Sequence, residues 1–567
     1  MESRPNVILI VTDDQGYGDM SCHGNPWLET PNLDRLHDEG VSLDDYHVDP
    51  VCTPTRASLM SGQYSSRNGA WGVTIGRQLL DPNIVTMADI FGEAGYATGM
   101  FGKWHLGDAY PYAPRFRGFQ DVVCHLAGGI DEISNPEGNN YFDDTLYRDG
   151  VPEKFEGYCT DIFFDETIRF VEENRDKPFF VYLPTNAMHG PFTVAERYSQ
   201  RFLELGHPDD RAKFYGMIEN FDENLGRLLA TLQETGIDEN TLIIFMGDNG
   251  TAGGVSSKKD SGGYGGGMRG KKGSVYEGGH RVACFARWPG QLEPRSVEEL
   301  TCVRDWLPTL IDLCGLRKPE GAVVDGTSIR ALLEGSDHEW PERTFFVERQ
   351  DDILVKAPLE PEGEGRIKYP NYAVLTEKWR MVNGELYDIA SDPGQSKDLA
   401  EAFPEVVQRL YADYGVWFKD VASHESEYTR FLVGDPAENP THFTVRDWHP
   451  TEGAVIWKKE HLFEDDLFIN GFWAIDVVSD GTYEFRLSRH PDDAPHPMKA
   501  VEATIRLLDD EGSESSAVAE TKAIQSSDTD VTFTLELQAG PAILQTSLKD
   551  EDMHRVRGAY FVTVRRL

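Results

Sequence analysis

Short apolar runs that end in polar residues recur along the first half of the chain. "NVILIVTDD" (Asn6–Asp14) ends in two acids. "KPFFVYLPTNAMHGP" (Lys177–Pro191) leads to Asn186 and His189, and "NTLIIFMGDNG" (Asn240–Gly250) ends in Asp248 and Asn249. Such runs predict strands buried on both faces. Between them, "DIFFDETIRFVEENRDK" (Asp161–Lys177) and "FYGMIENFDENLGRLLATLQETG" (Phe214–Gly236) carry apolar residues three and four apart, the helical spacing. Strands alternating with helices predict an α/β layer around a mainly parallel sheet. Ligands bind such sheets beyond the carboxyl ends of the strands. Asp13, Asp14, His189, Asp248 and Asn249 are therefore expected on one rim.

The pattern then changes twice. "RTFFVER", "NYAVLTEKWRMV" and "GELYDI" predict short antiparallel strands, followed by a helix in "DLAEAFPEVVQRLYADYGVWFKDV". From about His424 onward, apolar and polar residues alternate between Gly, Pro and Asp breaks, as in an all-β sandwich. Its expected start is "PTHFTVRDWHPTEG". Three parts are expected: an α/β domain over 1–342, a small α+β subdomain over 343–422 and a β-sandwich over 423–567. Trp448, Trp457 and Trp473 read as sandwich core, with sugar stacking the alternative.

Composition narrows the chemistry. The 567 residues exceed one compact domain. With 54 Lys and Arg against 96 Asp and Glu, the formal charge is −42, which argues against nucleic acid or an anionic membrane as partner. Seven widely spaced cysteines form no zinc pattern and read mostly as buried thiols. The amino terminus shows no signal peptide, and no run is long enough to span a bilayer. A cytoplasmic location is expected of the chain as written, and a periplasmic or secreted one if a leader was removed.

Asp13, Asp14, Asp248 and Asn249 offer only oxygen ligands, which suit Ca²⁺ or Mg²⁺ and not Zn²⁺. "GYATGMFGKWHLG" (Gly95–Gly107) reads as a glycine-rich loop holding Lys103 and His105. "MRGKKGSVYEGGHRV" (Met268–Val282) holds Lys271 and Lys272. With Arg56, these are concentrated cations in an acidic chain, as an anionic substrate requires. Cys52 is placed in a turn within "DPVCTPTRASLMSG" (Asp49–Gly62), without a partner cysteine nearby.

"CTPTRASLMSG" resembles the C-x-P-x-R signature of the type I sulfatases, and "GYATGMFGKWH" resembles their second signature. "NAMHGP", "GDNG", "KGSVYEGGHRV" and "DWLPTLIDLCG" are similar to further blocks of that family, in its order, over about Pro5 to Leu399. The resemblance implies an alkaline-phosphatase-like fold and hydrolysis of a sulfate monoester, on a carbohydrate or an aryl group. It implies that a maturation enzyme oxidises Cys52 to Cα-formylglycine, whose hydrate attacks sulfur to give a covalent sulfo-enzyme. Asp13, Asp14, Asp248 and Asn249, with residue 52, would hold the cation, Ca²⁺ by family habit and Mg²⁺ as the alternative. Arg56 would hold the diol, Lys103 and Lys272 the sulfate. His189 would protonate the leaving alcohol, and His105 would take the proton that expels sulfate. His280 has no role in this scheme and reads as a surface or packing residue. Two other readings stand beside it: a phosphonate or phosphodiester hydrolase of the same superfamily, and a non-catalytic binder of sulfated glycans. "GKWH" favours sulfate.

Overall fold

The run Asn6–Thr12 forms strand β1 at the centre of a ten-stranded sheet. In chain order the others are β2 (Val41–Leu43), β3 (Ala97–Lys103), β4 (Asp121–His125), β5 (Thr145–Arg148), β6 (Val151–Lys154), β7 (Phe179–Pro184), β8 (Thr241–Gly247), β9 (Cys284–Arg287) and β10 (Arg295–Val297). They lie in the order β10-β2-β9-β8-β1-β7-β3-β4-β5-β6. The middle of the sheet, from β8 through β1, β7 and β3 to β4, is parallel throughout. Antiparallel pairs occur only toward its sides. In this computed structural model the described residues are 4–255, 262–336, 340–349, 371–421, 428–452, 455–509, 512, 518–551 and 555–567.

Alternation along β1 shows why its run is apolar throughout. Val7, Leu9 and Val11 enter one hydrophobic cluster, and Ile8 and Ile10 enter another on the opposite face. Helix α1 (Cys52–Ser61) covers the first face through Ala57, Leu59 and Met60. Helices α2 (Cys159–Asn174) and α3 (Asp209–Glu234) cover the second. This is the alkaline-phosphatase-like α/β architecture, a mixed and mainly parallel sheet between helices.

Two expectations need correction. "GYATGMFGKWHLG" is not a loop: Ala97–Lys103 is the buried strand β3. Gly102 allows close packing on β7. A Cβ on Gly102, at φ +134°, would come within 2.0 Å of the Pro184 carbonyl oxygen. Cys52 is not in a turn either but is the first residue of α1. Pro54 lies in the first helical turn, where its missing N–H costs nothing.

A four-stranded antiparallel sheet follows, from Phe345–Glu348 to Glu385–Asp388. Helix α4 (Pro404–Val421) packs on it through Leu410, Tyr414 and Trp417. The expected boundary at 422/423 lies outside the described residues. Beyond it, sheets of seven and four strands form the β-sandwich, with Trp448 and Trp473 fully buried between them. Trp457 is exposed instead. The sandwich core continues into Trp71, Ile75, Tyr112 and Ile133 of the α/β part, so the two share one hydrophobic cluster. Among the described residues no helix is long and apolar enough to cross a membrane. All seven cysteines are free thiols, six of them buried.

Candidate active site

The parallel register sets Thr12 opposite Gly247, so Asp13 and Asp14 leave β1 beside Asp248 and Asn249 leaving β8. The Asp14 backbone, at φ 65°, turns its amide to Asp248 Oδ1 at 3.0 Å. Asn249 Nδ2 donates to Asp14 Oδ1 at 2.9 Å. β3 ends in Lys103, two residues before His105, and β7 leads to His189. Helix α1 presents its amino end, with Cys52 and Arg56 four residues apart on one face. The positive end of a helix dipole therefore lies at residue 52. The loop bearing Lys272 docks on Gly250, where a Cβ would strike the Gly278 carbonyl oxygen at 1.9 Å.

Three acids and three bases pair off. Lys103 Nζ reaches Asp13 at 2.7 Å, Lys272 Nζ reaches Asp14 at 2.7 Å, and Arg56 Nη2 reaches Asp248 at 2.8 Å. Arg56 also donates to the Lys103 carbonyl at 2.9 Å. Cys52 Sγ lies 3.3 Å from His105 Nδ1. The residues to which the resemblance gives a role thus converge on one cluster at the carboxyl edge of the sheet. Lys271 makes no contact with it among the described interactions, whereas Lys272 does.

Burial pushes the Asp13 carboxyl up to about 8, with Asp248 and Asp14 adding to it and Lys103 and Arg56 opposing. Burial acts the same way on Asp14, but Lys272, His189 and Lys103 outweigh it and hold that carboxyl below the usual range. Burial pushes the Cys52 thiol up, against Lys103 and Lys272, so an unmodified residue 52 is a thiol and a weak nucleophile. Burial, then Lys103 and Arg446, depress His105. Burial, then Lys272 and Lys103, depress His189. His189 Nδ1 donates to the Gly190 carbonyl at 2.7 Å, which leaves Nε2 as its free nitrogen.

The acids fit a hard divalent cation. Ligand oxygens of Asp13, Asp14 and Asp248 lie within 4.8 Å of one another. Asp13 Oδ1 and Asn249 Oδ1 are buried without a hydrogen-bond partner. Unpaired buried acceptors are costly unless something binds them. His280 is buried, not at the surface. It packs against His47, with Nδ1 atoms 2.9 Å apart, and takes no part in this cluster.

Sequence reasoning missed Arg446 and Glu132. Arg446 comes from the β-sandwich and is buried, with Nη2 3.3 Å from the Val73 carbonyl oxygen and 3.2 Å from His105 Nε2. His105 Nε2 is also 3.2 Å from that carbonyl. If Nε2–H and Arg446 both donate to Val73, all three groups are satisfied, and His105 Nδ1 turns a lone pair toward residue 52. Glu132 pairs with Arg446 Nε at 3.1 Å. Nothing in the spacing of "VRDWHP" points to a position so far back in the chain.

The sulfatase family profile matches residues 5–316. Arylsulfatase A of Homo sapiens is 30 % identical over 454 residues, 72 % of this chain and 86 % of that protein. N-acetylgalactosamine-6-sulfatase of Homo sapiens is 30 % identical over 493 residues, 79 % of this chain and 90 % of that one. The crystal structure of Ps i-CgsB in complex with k-i-k-neocarrahexaose is similar with a TM-score of 0.64 and 26 % identity, over 76 % of this chain and 95 % of that one. A matched region that contains the whole cluster, in a fold shared with these proteins, leads to one assignment: the chain belongs to the sulfatase family and is a sulfuric ester hydrolase.

Proposed function

We propose that the enzyme hydrolyses a sulfate monoester carried on a carbohydrate, with aryl sulfates as accessory substrates. One observation carries this reading. Three buried carboxylates and three cations, in a chain of formal charge −42, surround residue 52 at the positive end of a helix. The names of the relatives, N-acetylgalactosamine-6-sulfatase among them, support a sugar sulfate.

Residue 52 is proposed to be Cα-formylglycine, made from Cys52 by a maturation enzyme, and to pass through a covalent sulfo-enzyme. Asp13, Asp14, Asp248 and Asn249, with residue 52, would hold the cation, Ca²⁺ or alternatively Mg²⁺. When bound, it supplies Lewis acidity to the reacting oxygens. The chain's own groups do the rest. With three acid–base pairs in balance, a divalent ion leaves the site net positive and complementary to sulfate. Lys103 and Lys272, released from Asp13 and Asp14, bind sulfate oxygens as fixed donors. Arg56 stays on Asp248 and orients residue 52. His189 Nε2 faces the leaving alcohol and gives it a proton when protonated. His105 Nδ1 takes the proton from residue 52 that ends the cycle.

Comparing turnover on 4-nitrocatechol sulfate and on bis(4-nitrophenyl) phosphate tests the class. Sulfate is expected to be preferred by at least about tenfold in kcat/KM. Preference for the phosphate diester would transfer the protein to the phosphodiesterase reading. Turnover of neither, in matured protein, would favour a glycan binder.

A further inference from the structure

Arg380 is fully buried, on strand Trp379–Val382 of the four-stranded sheet in the α+β part. Its Nε donates to Glu277 Oε1 at 2.7 Å, and Nη2 reaches both oxygens of Asp45, at 2.8 and 2.9 Å. Nη1 donates to the Thr376 carbonyl. Burial pushes both carboxyls up, but Arg380, with His47 assisting, outweighs it and holds each below the usual carboxylate range.

The two acids belong to the two segments that carry the proposed chemistry. Asp45 lies seven positions before Cys52, and Glu277 lies five after Lys272. The segments run side by side. The Val48 amide donates to the His280 carbonyl at 2.9 Å, and the Gly273 amide, next to Lys272, donates to the Pro50 carbonyl at 2.8 Å. His47 adds a side-chain link, with Nε2 2.9 Å from Asp45 Oδ1 and Nδ1 2.9 Å from His280 Nδ1. The α+β part grips the Lys272 loop a second time, where the Glu277 amide donates to Gln395 Oε1 at 2.8 Å.

A buried ion cluster adds little net stability, because desolvation offsets the attraction. Its geometry is more exacting. A guanidinium is a planar fork with fixed donor directions, so it binds two carboxylates at one separation and one orientation. We propose that Arg380 is a positioning residue for the reaction: by holding Asp45 and Glu277 on one guanidinium, it sets Lys272 at a fixed place relative to residue 52. It touches neither the substrate nor the reacting atoms. The inference rests on the reading above, in which Lys272 binds the sulfate that residue 52 attacks. A donor displaced by about 1 Å from such a place costs about 100-fold in rate. The α+β part is thereby a component of the active site, although it supplies no group that meets the substrate.

A double-mutant cycle in matured enzyme, read as kcat/KM on 4-nitrocatechol sulfate, tests this. Arg380→Lys keeps the charge and gives up the fork. It is expected to lower kcat/KM about 10- to 100-fold. Losses from independent residues multiply, whereas losses along one line of action do not. Arg380→Lys with Lys272→Ala is therefore expected to stay within about threefold of Lys272→Ala alone. The same cycle is run with Glu277→Gln, which keeps an oxygen for Arg380 but loses the charge-assisted bond, so the test stands if Arg380→Lys does not fold. There the single loss is expected to be about fivefold or more, again absent in the Lys272→Ala background. No loss from the single variants, or losses that multiply in both backgrounds, overturns the positioning role and leaves the sulfatase reading intact. Native turnover by Lys272→Ala would show that the reading of Lys272 has failed, and the positioning role with it.

Discussion

Arg446 and His105 are 341 residues apart in sequence and 3.2 Å apart in space. The arginine does not face the substrate. It shares the Val73 carbonyl with the imidazole and is itself held by Glu132, so its effect on catalysis runs through the orientation of His105. Arg446→Met is expected to lower kcat about 10- to 100-fold with little change in KM, the size of loss that a misplaced catalytic group causes. Arg446→Lys is expected to recover part of it. A fall in thermal stability with kcat intact would make Arg446 structural only. The residues that bear the proposed chemistry were legible because each ends an apolar run or sits in a compact block, as Asp13 and Lys272 do. Arg446 was not, because no local pattern encodes a contact between distant segments.

At the scale of elements, burial decided what could be read. β1, β7 and β8 are apolar throughout because both faces of the sheet are covered, and a short apolar run ending in acids declares such a strand. β3 carries the same role with Gly99 and Gly102 inside it, and those glycines made it read as a loop. Gly102 is there because the Pro184 carbonyl of β7 passes too close for a side chain, and at Gly99 a Cβ would meet the Phe101 and Phe170 rings, both properties of the surrounding packing and not of a local pattern. The same limit applies to α1. Cys52, read as part of a turn, opens a helix whose first turn accepts Pro54 freely. Of the three tryptophans expected in the sandwich core, Trp473 on its strand and Trp448 just after a 3-10 turn are buried there. Trp457 lies in a loop that meets a loop of the α/β part through an isolated bridge, outside any regular alternation.

At the scale of the molecule, the sandwich is joined to the α/β part by a shared core and by buried acids. Asp108 accepts from the Ala127 amide at 3.0 Å and lies near Asp447, which accepts from Gln78 at 2.9 Å. Both line a cavity of about 750 Å³ at this junction. Burial, with Asp447 adding to it, pushes the Asp108 carboxyl up to about 7, from 3.8. The folded state therefore holds this proton more tightly than the unfolded chain does. Its contribution to stability is complete below pH 3.8 and is lost as pH rises from 3.8 through about 7. Asp108→Asn keeps an acceptor for Ala127 without the charge. The variant is expected to gain on the native protein as pH rises from about 5 to about 8, by about 1 kcal/mol or more in unfolding free energy. A stability difference constant across that range would mean that the junction does not strain this carboxylate.

The central claim is that residue 52 is the nucleophile in oxidised form, and the mass of the peptide containing it tests this most directly. The peptide should be taken from a preparation that hydrolyses sulfate esters. An aldehyde at residue 52, captured by a hydrazine, is the expected result. A fully active preparation whose residue 52 is an intact thiol would contradict the mechanism.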